Sequence, residues 1–189
     1  MVEFKAIEAF FNNQSVGAFF GAFAAFILVG ANDWRRERRK VKTLRAEIEV
    51  NLGDARAKLE TTRRMRALMR NENKVMRAPV LRFNTAFTRQ LSADVLHLLT
   101  LDQRRAVEAL CYTMEAIDGL FSEATESARA LSGTMENPLR MKTAEDLLAT
   151  WSDIVANLKR LMEMCEAYMA GRFTEMITKQ YNAADYEEA

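Results

Sequence analysis

Residues that interrupt helices are scarce in this chain. Its 189 residues include two prolines and seven glycines, so few points break a regular backbone. It has one histidine, His97, and two cysteines, Cys111 and Cys165. A metal or acid–base site built on histidines is not expected, and the cysteine spacing fits no metal-binding motif. We expect reduced cysteines, no metal and no cofactor.

The sequence also lacks the common motifs of catalysis. It has no glycine-rich phosphate loop, no dinucleotide-binding fingerprint and no nucleophile elbow. The Glu-x-x-His pair that holds di-iron centres in helical bundles does not occur either. We therefore predict that the protein is not an enzyme and that it has no catalytic residue.

One uncharged stretch differs from the rest of the chain, and we call residues 16–31, VGAFFGAFAAFILVGA, the apolar segment. At 1.5 Å per helical residue it spans about 24 Å, and extension back to Phe10 gives about 33 Å, enough for a hydrocarbon core of about 30 Å. Glu3 and Glu8 lie before the segment and the basic cluster lies after it, which argues against a cleaved signal peptide. Residues 1–32 are predicted to be an outward segment and a single transmembrane helix.

Small and polar residues share one side of this helix. Gly17, Gly21 and Ala25 recur every four residues, a spacing that lets two helix backbones approach closely. Amide side chains near hydrocarbon usually find partners on neighbouring helices. We predict a helix contact or pore lining in a homo-oligomer, formed by Asn13, Gln14, Gly17, Gly21 and Ala25. A monomeric anchor whose glycines have no role is the alternative.

A basic cluster, here called the collar, follows the apolar segment at once. It consists of Arg35, Arg36, Arg38, Arg39 and Lys40. Because only Lys5 precedes the segment, the positive-inside rule places the amino terminus outside and residues 33–189 in the cytoplasm. The collar is predicted to meet the surface of the lipid bilayer, although its role as a topology signal alone would be sufficient.

Residues 33–77 are predicted to form a long stalk helix. Its apolar positions recur at steps of three and four from Val41 to Thr62. Beyond them, five cations share one helix side, the basic face: Arg63, Arg66, Arg70, Lys74 and Arg77. This face predicts a site for an anionic nucleotide, an oligonucleotide or an acidic protein partner. A solvated face paired with glutamates would give the same pattern.

Residues 78–181 are predicted to complete a helical bundle, with helices over 80–99, 100–133 and 143–180. Thr100 and Gln103 form a capping box at the start of the second. Apolar residues then recur at steps of three and four, at 107, 110, 114, 117, 121, 124, 128 and 131, and again at 147, 151, 154, 158, 161, 165 and 168. The expected fold is all-α, with the transmembrane helix continuing into the stalk and an antiparallel cytoplasmic bundle, followed by an acidic tail at 182–189.

Two stretches resemble known proteins: RRERRKVKTLRAEIEVNL at 35–52 and FNTAFTRQLSADVLHLLTLDQRRAVEALCYTMEAI at 83–117. They are similar to poorly characterised bacterial single-span membrane proteins with a helical cytoplasmic domain, some of which look like transmembrane effectors of antiphage defence systems. The resemblance implies an oligomer that permeabilises or depolarises the bacterial inner membrane on a cytoplasmic signal. The residues themselves leave two alternatives: a membrane tether for a cytoplasmic partner, or an anchored binder of a nucleotide or nucleic acid.

Overall fold

The computed structural model of the protein describes residues 14–72, 75, 82–131 and 138–176, with side chains from Ala18 in the first helix and from Lys142 in the last. These residues form helices α1 (Gln14–Glu72), α2 (Thr85–Asp94), α3 (Leu101–Leu131) and α4 (Pro138–Met169). A 3-10 turn, Leu96–Leu98, joins α2 to α3. Because the described ranges contain no β-strand, the all-α prediction is confirmed.

The chain divides into two compact units, Met1–Lys42 and Thr43–Ala189. The described residues of the first unit belong to the beginning of α1. The second unit holds the remainder of α1 together with the other helices. Within the ranges that the structure describes, no helix combines the length and the apolar character that a membrane crossing needs.

The core of the second unit follows the two predicted rows of apolar residues. Every α3 and α4 position in those rows is buried, with at most 8% of its surface exposed. The two helices are antiparallel, because Phe121 packs on Trp151 with ring centres 6.2 Å apart and Thr113 lies 3.7 Å from the sulfur of Met164. The predicted helical bundle is therefore confirmed.

Helix α1 adds its own apolar face to this core. The buried residues of that face are Leu44, Ile48, Leu52, Ala55, Leu59 and Thr62. Helix α2 runs antiparallel to it, since Asn51 Nδ2 donates to Thr88 Oγ1 over 3.2 Å while Lys58 lies over the ring of Phe83. Burying the amide and the hydroxyl together satisfies both polar groups inside the bundle.

One helix start agrees with the sequence prediction, and two others differ from it. The capping box is confirmed, because the Thr100 N–H donates to Gln103 Oε1 over 2.9 Å and the Gln103 N–H donates to Thr100 Oγ1 over 3.3 Å. Helix α2 begins at Thr85 instead of residue 80, since the Asn84 side chain accepts the Phe87 N–H and caps it. Helix α4 begins at Pro138 instead of residue 143, because proline suits the first turn of a helix.

The stalk helix ends earlier than the predicted residue 77, since α1 is described as far as Glu72 and Val75 is not helical. Helix α4 ends in a Schellman motif: Gly171 has a φ of 75°, and the N–H of Arg172 donates to the Ala167 carbonyl over 2.9 Å. The chain then forms one further helical turn at 173–176. The predicted acidic tail lies outside the described residues.

Candidate functional site

The apolar segment is exposed along its whole described length. Every side chain from residue 18 to residue 31 is exposed, although none carries a charge. The large ones are between 48% and 76% exposed: Phe19, Phe20, Phe23, Phe26, Ile27, Leu28 and Val29. Phe19 and Phe23 stack with ring centres 6.4 Å apart. A helix that is apolar on all sides normally lies in a protein core or in a membrane.

The predicted small-residue face lies within this segment. A methyl group built on Gly21 would meet nothing within 4 Å, so the surface there is open to another helix. Ala25 follows one turn later and is exposed as well. Gln14 and Gly17 are described only in their backbone, and Asn13 lies outside the described residues.

The collar lies in the first unit, and all five of its side chains are exposed. The guanidinium of Arg38 stacks over the ring of Trp34, one helical turn earlier, at 4.0 Å from the ring centre. Trp34 is 53% exposed, so the stacked pair remains at the surface of the helix. Such a cation–π contact restrains both side chains.

The described part of the basic face consists of Arg63, Arg66 and Arg70. Arg63 and Arg70 are exposed, Arg66 is half-buried, and none of the three forms an ion pair with another described residue. The opposite side of the same helix stretch carries the buried Met65 and Met69. Lys74 and Arg77 lie outside the described residues.

Sequence reasoning missed the role of Arg45, which by position alone is one more cation after the apolar segment. Its guanidinium donates to the carbonyl oxygen of Met169, the last residue of α4, over 2.6 Å. The final carbonyls of a helix lack partners within the helix, and a cation there also complements the helix dipole. The contact joins residues 124 apart, so no local pattern could have predicted it.

A second unpredicted contact connects α1, the start of α2 and α3. The N–H of Phe83 donates to Asp118 Oδ2 over 3.0 Å, while the ammonium of Lys58 lies 4.5 Å from the centre of the Phe83 ring. Burial raises the pKa of Asp118 and lowers the pKa of Lys58, whereas each charge favours the ionised form of the other. These groups fasten residues 82–84 to the bundle.

A groove of about 440 Å³ lies beside this contact. Its lining includes Arg82, Asp118, Ser122, Glu126 and Arg129, so cations and carboxylates balance. The Ser122 hydroxyl donates to the Asp118 carbonyl over 3.0 Å and so offers only its oxygen to the groove. This mixture of groups selects no one class of ligand.

The chemistry of the two cysteines does not suit a reactive site. Both are buried free thiols, and burial raises the pKa of Cys111 to about 11 and that of Cys165 to about 12. A thiol with such a pKa stays protonated at neutral pH and is a poor nucleophile. Among the described residues, no cluster of three or more histidine, cysteine or acidic side chains could hold a metal ion.

No protein-family model, no curated protein and no solved structure matches this chain. Function is therefore inferred from the three surfaces described above. They are the apolar segment and the collar, whose described side chains are exposed, and the basic face, of which Arg63 and Arg70 are exposed and Arg66 is half-buried.

Proposed function

We propose that the protein is a non-enzymatic membrane effector of the bacterial inner membrane. Residues 10–31 insert into the bilayer, the amino terminus faces outward, and the bundle of the second unit remains in the cytoplasm. Several copies associate through their anchors. On a cytoplasmic signal the oligomer permeabilises or depolarises the membrane, in a defence setting of the kind that the sequence resemblance implies.

The observation that carries this proposal is the exposed, uncharged surface of residues 18–31. Apolar surface in water costs roughly 25 cal/mol for each Å², so seven exposed large side chains favour a lipid environment. Helix α1 contains the whole apolar segment, whose 16 residues span about 24 Å, and an inserted helix that began at Phe10 would span about 33 Å. Burial in lipid would remove this cost over the whole circumference of the helix.

The proposed orientation rests on the collar, and the proposed association rests on the surface at Gly21. The collar follows the segment directly, and basic residues near the end of an anchor are retained on the cytoplasmic side. The open surface at Gly21 permits a second helix to pack closely. Asn13 and Gln14 are the proposed lining of a narrow path between parallel copies.

The test is the membrane potential of cells that express either the full chain or a chain lacking residues 1–31. We expect depolarisation with the full chain only, because the anchor is the proposed permeabilising element. Membrane fractionation shows in parallel whether the full chain inserts. If the inserted full chain leaves the potential unchanged, as the truncated chain does, two interpretations remain: a membrane tether, or a pore held shut without its signal. A pull-down for the missing partner then separates them.

We further propose that the signal is an anionic ligand, a nucleotide or oligonucleotide, bound at the basic face. The three described arginines carry no competing carboxylate among the described residues, which leaves their charge available to phosphate groups. A ligand bound there could bias the bundle between two arrangements and so act on the anchor.

Replacing Arg63, Arg66 and Arg70 with glutamine is expected to weaken binding of a single-stranded oligonucleotide more than tenfold. The slope of log affinity against log salt should fall by about 2, because three phosphate contacts are lost. Fluorescence anisotropy at several salt concentrations measures both quantities. Arg56→Gln is the matched control, because Arg56 already pairs with Glu166 at 2.9 Å. Equal affinity of the triple variant and the control would contradict a ligand site here.

A further inference from the structure

The collar presents its charge in an ordered way. Arg35, Arg38 and Arg39 lie three or four residues apart and so share one side of α1, while Arg36 and Lys40 share the adjacent side. All five are exposed, and the nearest acids on this stretch are Asp33 and Glu37. The excess of cations produces a positive surface directly beside the apolar segment.

Trp34 fixes the depth at which this charge would lie. Its indole is amphipathic, and such rings settle at the level of the lipid headgroups. The Arg38 guanidinium stacks on this ring at 4.0 Å. Trp34 would therefore hold the charge of Arg38 at the level of the headgroups. Guanidinium groups bind phosphate through paired hydrogen bonds, which suits a phospholipid headgroup.

The structure also limits how far the lipid-facing charge extends. Arg45 is only five residues beyond Lys40, yet its guanidinium is engaged by the Met169 carbonyl inside the second unit. A count of cations by position would include it among the lipid contacts. The hydrogen bond to Met169 instead places Arg45 in the bundle. Arg45 is therefore a suitable control cation for the lipid contacts of the collar.

We infer that the collar binds the phosphate groups of anionic phospholipids and makes the protein prefer an anionic bilayer. This inference rests on the proposed membrane insertion and adds the class of lipid that the site selects. Each basic side chain near an anionic membrane surface strengthens the association of the protein with that membrane about fivefold. We therefore expect anionic lipid to be enriched about fivefold around Trp34.

Lipid contact at Trp34 can be measured by quenching of its fluorescence. The chain has two tryptophans, and Trp151 is only 3% exposed in the bundle core, so lipid-borne quenchers act on Trp34. The full chain is reconstituted in equal mixtures of phosphatidylglycerol and phosphatidylcholine, with bromine on the acyl chains of one lipid or of the other. Stronger quenching when phosphatidylglycerol carries the bromine is the expected result.

Two variants decide whether the collar causes this preference. The triple substitution Arg35→Gln, Arg38→Gln and Arg39→Gln should lower the preference severalfold, because three of the five collar cations are lost, and Arg45→Gln should retain it. A preference that the triple substitution leaves unchanged, or equal quenching by both lipids with the unchanged protein, overturns the inference while the anchor stands. Absence of quenching by either lipid overturns the proposed insertion itself.

Discussion

The substitution Gly21→Leu is expected to abolish depolarisation by the full chain. Gly21 is open on its own chain, since an added methyl group there meets nothing within 4 Å. In a membrane, helices associate largely through close packing of small residues, and a leucine at such a contact holds the backbones apart. The variant should therefore insert normally and fail to form the oligomer.

Gly30→Leu is the matched control for this prediction. Gly30 is also open on its own chain, and at 3.6 residues per turn the nine residues that separate it from Gly21 place it on the opposite side of the helix. Membrane potential, membrane fractionation and chemical crosslinking are measured for both variants. We expect the control to depolarise and crosslink like the unchanged protein. Depolarisation by Gly21→Leu at the unchanged level would show that this side is not the contact.

The substitution Leu158→Ala should strongly destabilise the bundle. Leu158 is fully buried in α4, and truncation of a buried leucine to alanine costs about 3 kcal/mol, because apolar contacts are lost and a cavity remains. Urea unfolding of the full chain in mild detergent should show a midpoint lower by about 1.5 M.

Lys159→Ala is the neighbouring control, since Lys159 is exposed on the same helix. An exposed substitution of this kind should change the free energy of unfolding by no more than about 0.5 kcal/mol. If both variants shifted the midpoint equally, the burial assigned to Leu158 would not hold in solution.

The core of the bundle could be predicted from the sequence because it depends on periodicity. The steps of three and four along α3 and α4 identify residues such as Ile117 and Leu158, and both are fully buried. The capping box at Thr100 was also predictable, because all of its groups lie within four residues.

Contacts between distant residues could not be read in the same way. The bond from Arg45 to Met169 and the contact between Lys58, Phe83 and Asp118 depend on how the helices pack, and no local pattern encodes that packing.

In the candidate sites, too, the positions of residues along a helix were predictable and their contacts were not. The positions of the collar and the basic face on α1 follow from spacing alone, and the structure finds their described side chains mostly exposed. The stacking of Arg38 on Trp34 was not foreseen, although a spacing of four residues permits it. Association, lipid preference and ligand binding involve other molecules and remain predictions.

The order in which the helices occur has a consequence for synthesis. The apolar face of α1, which includes Leu44 and Leu59, leaves the ribosome before the α4 residues of the same core, such as Leu158. Translation of the intervening stretch of about 100 residues takes about 5–20 s at usual rates. During this interval the face of α1 is exposed beside the apolar segment of the same helix. The apolar face of the nascent first helix, more than that of the α3–α4 pair, thus waits longest for the residues that bury it.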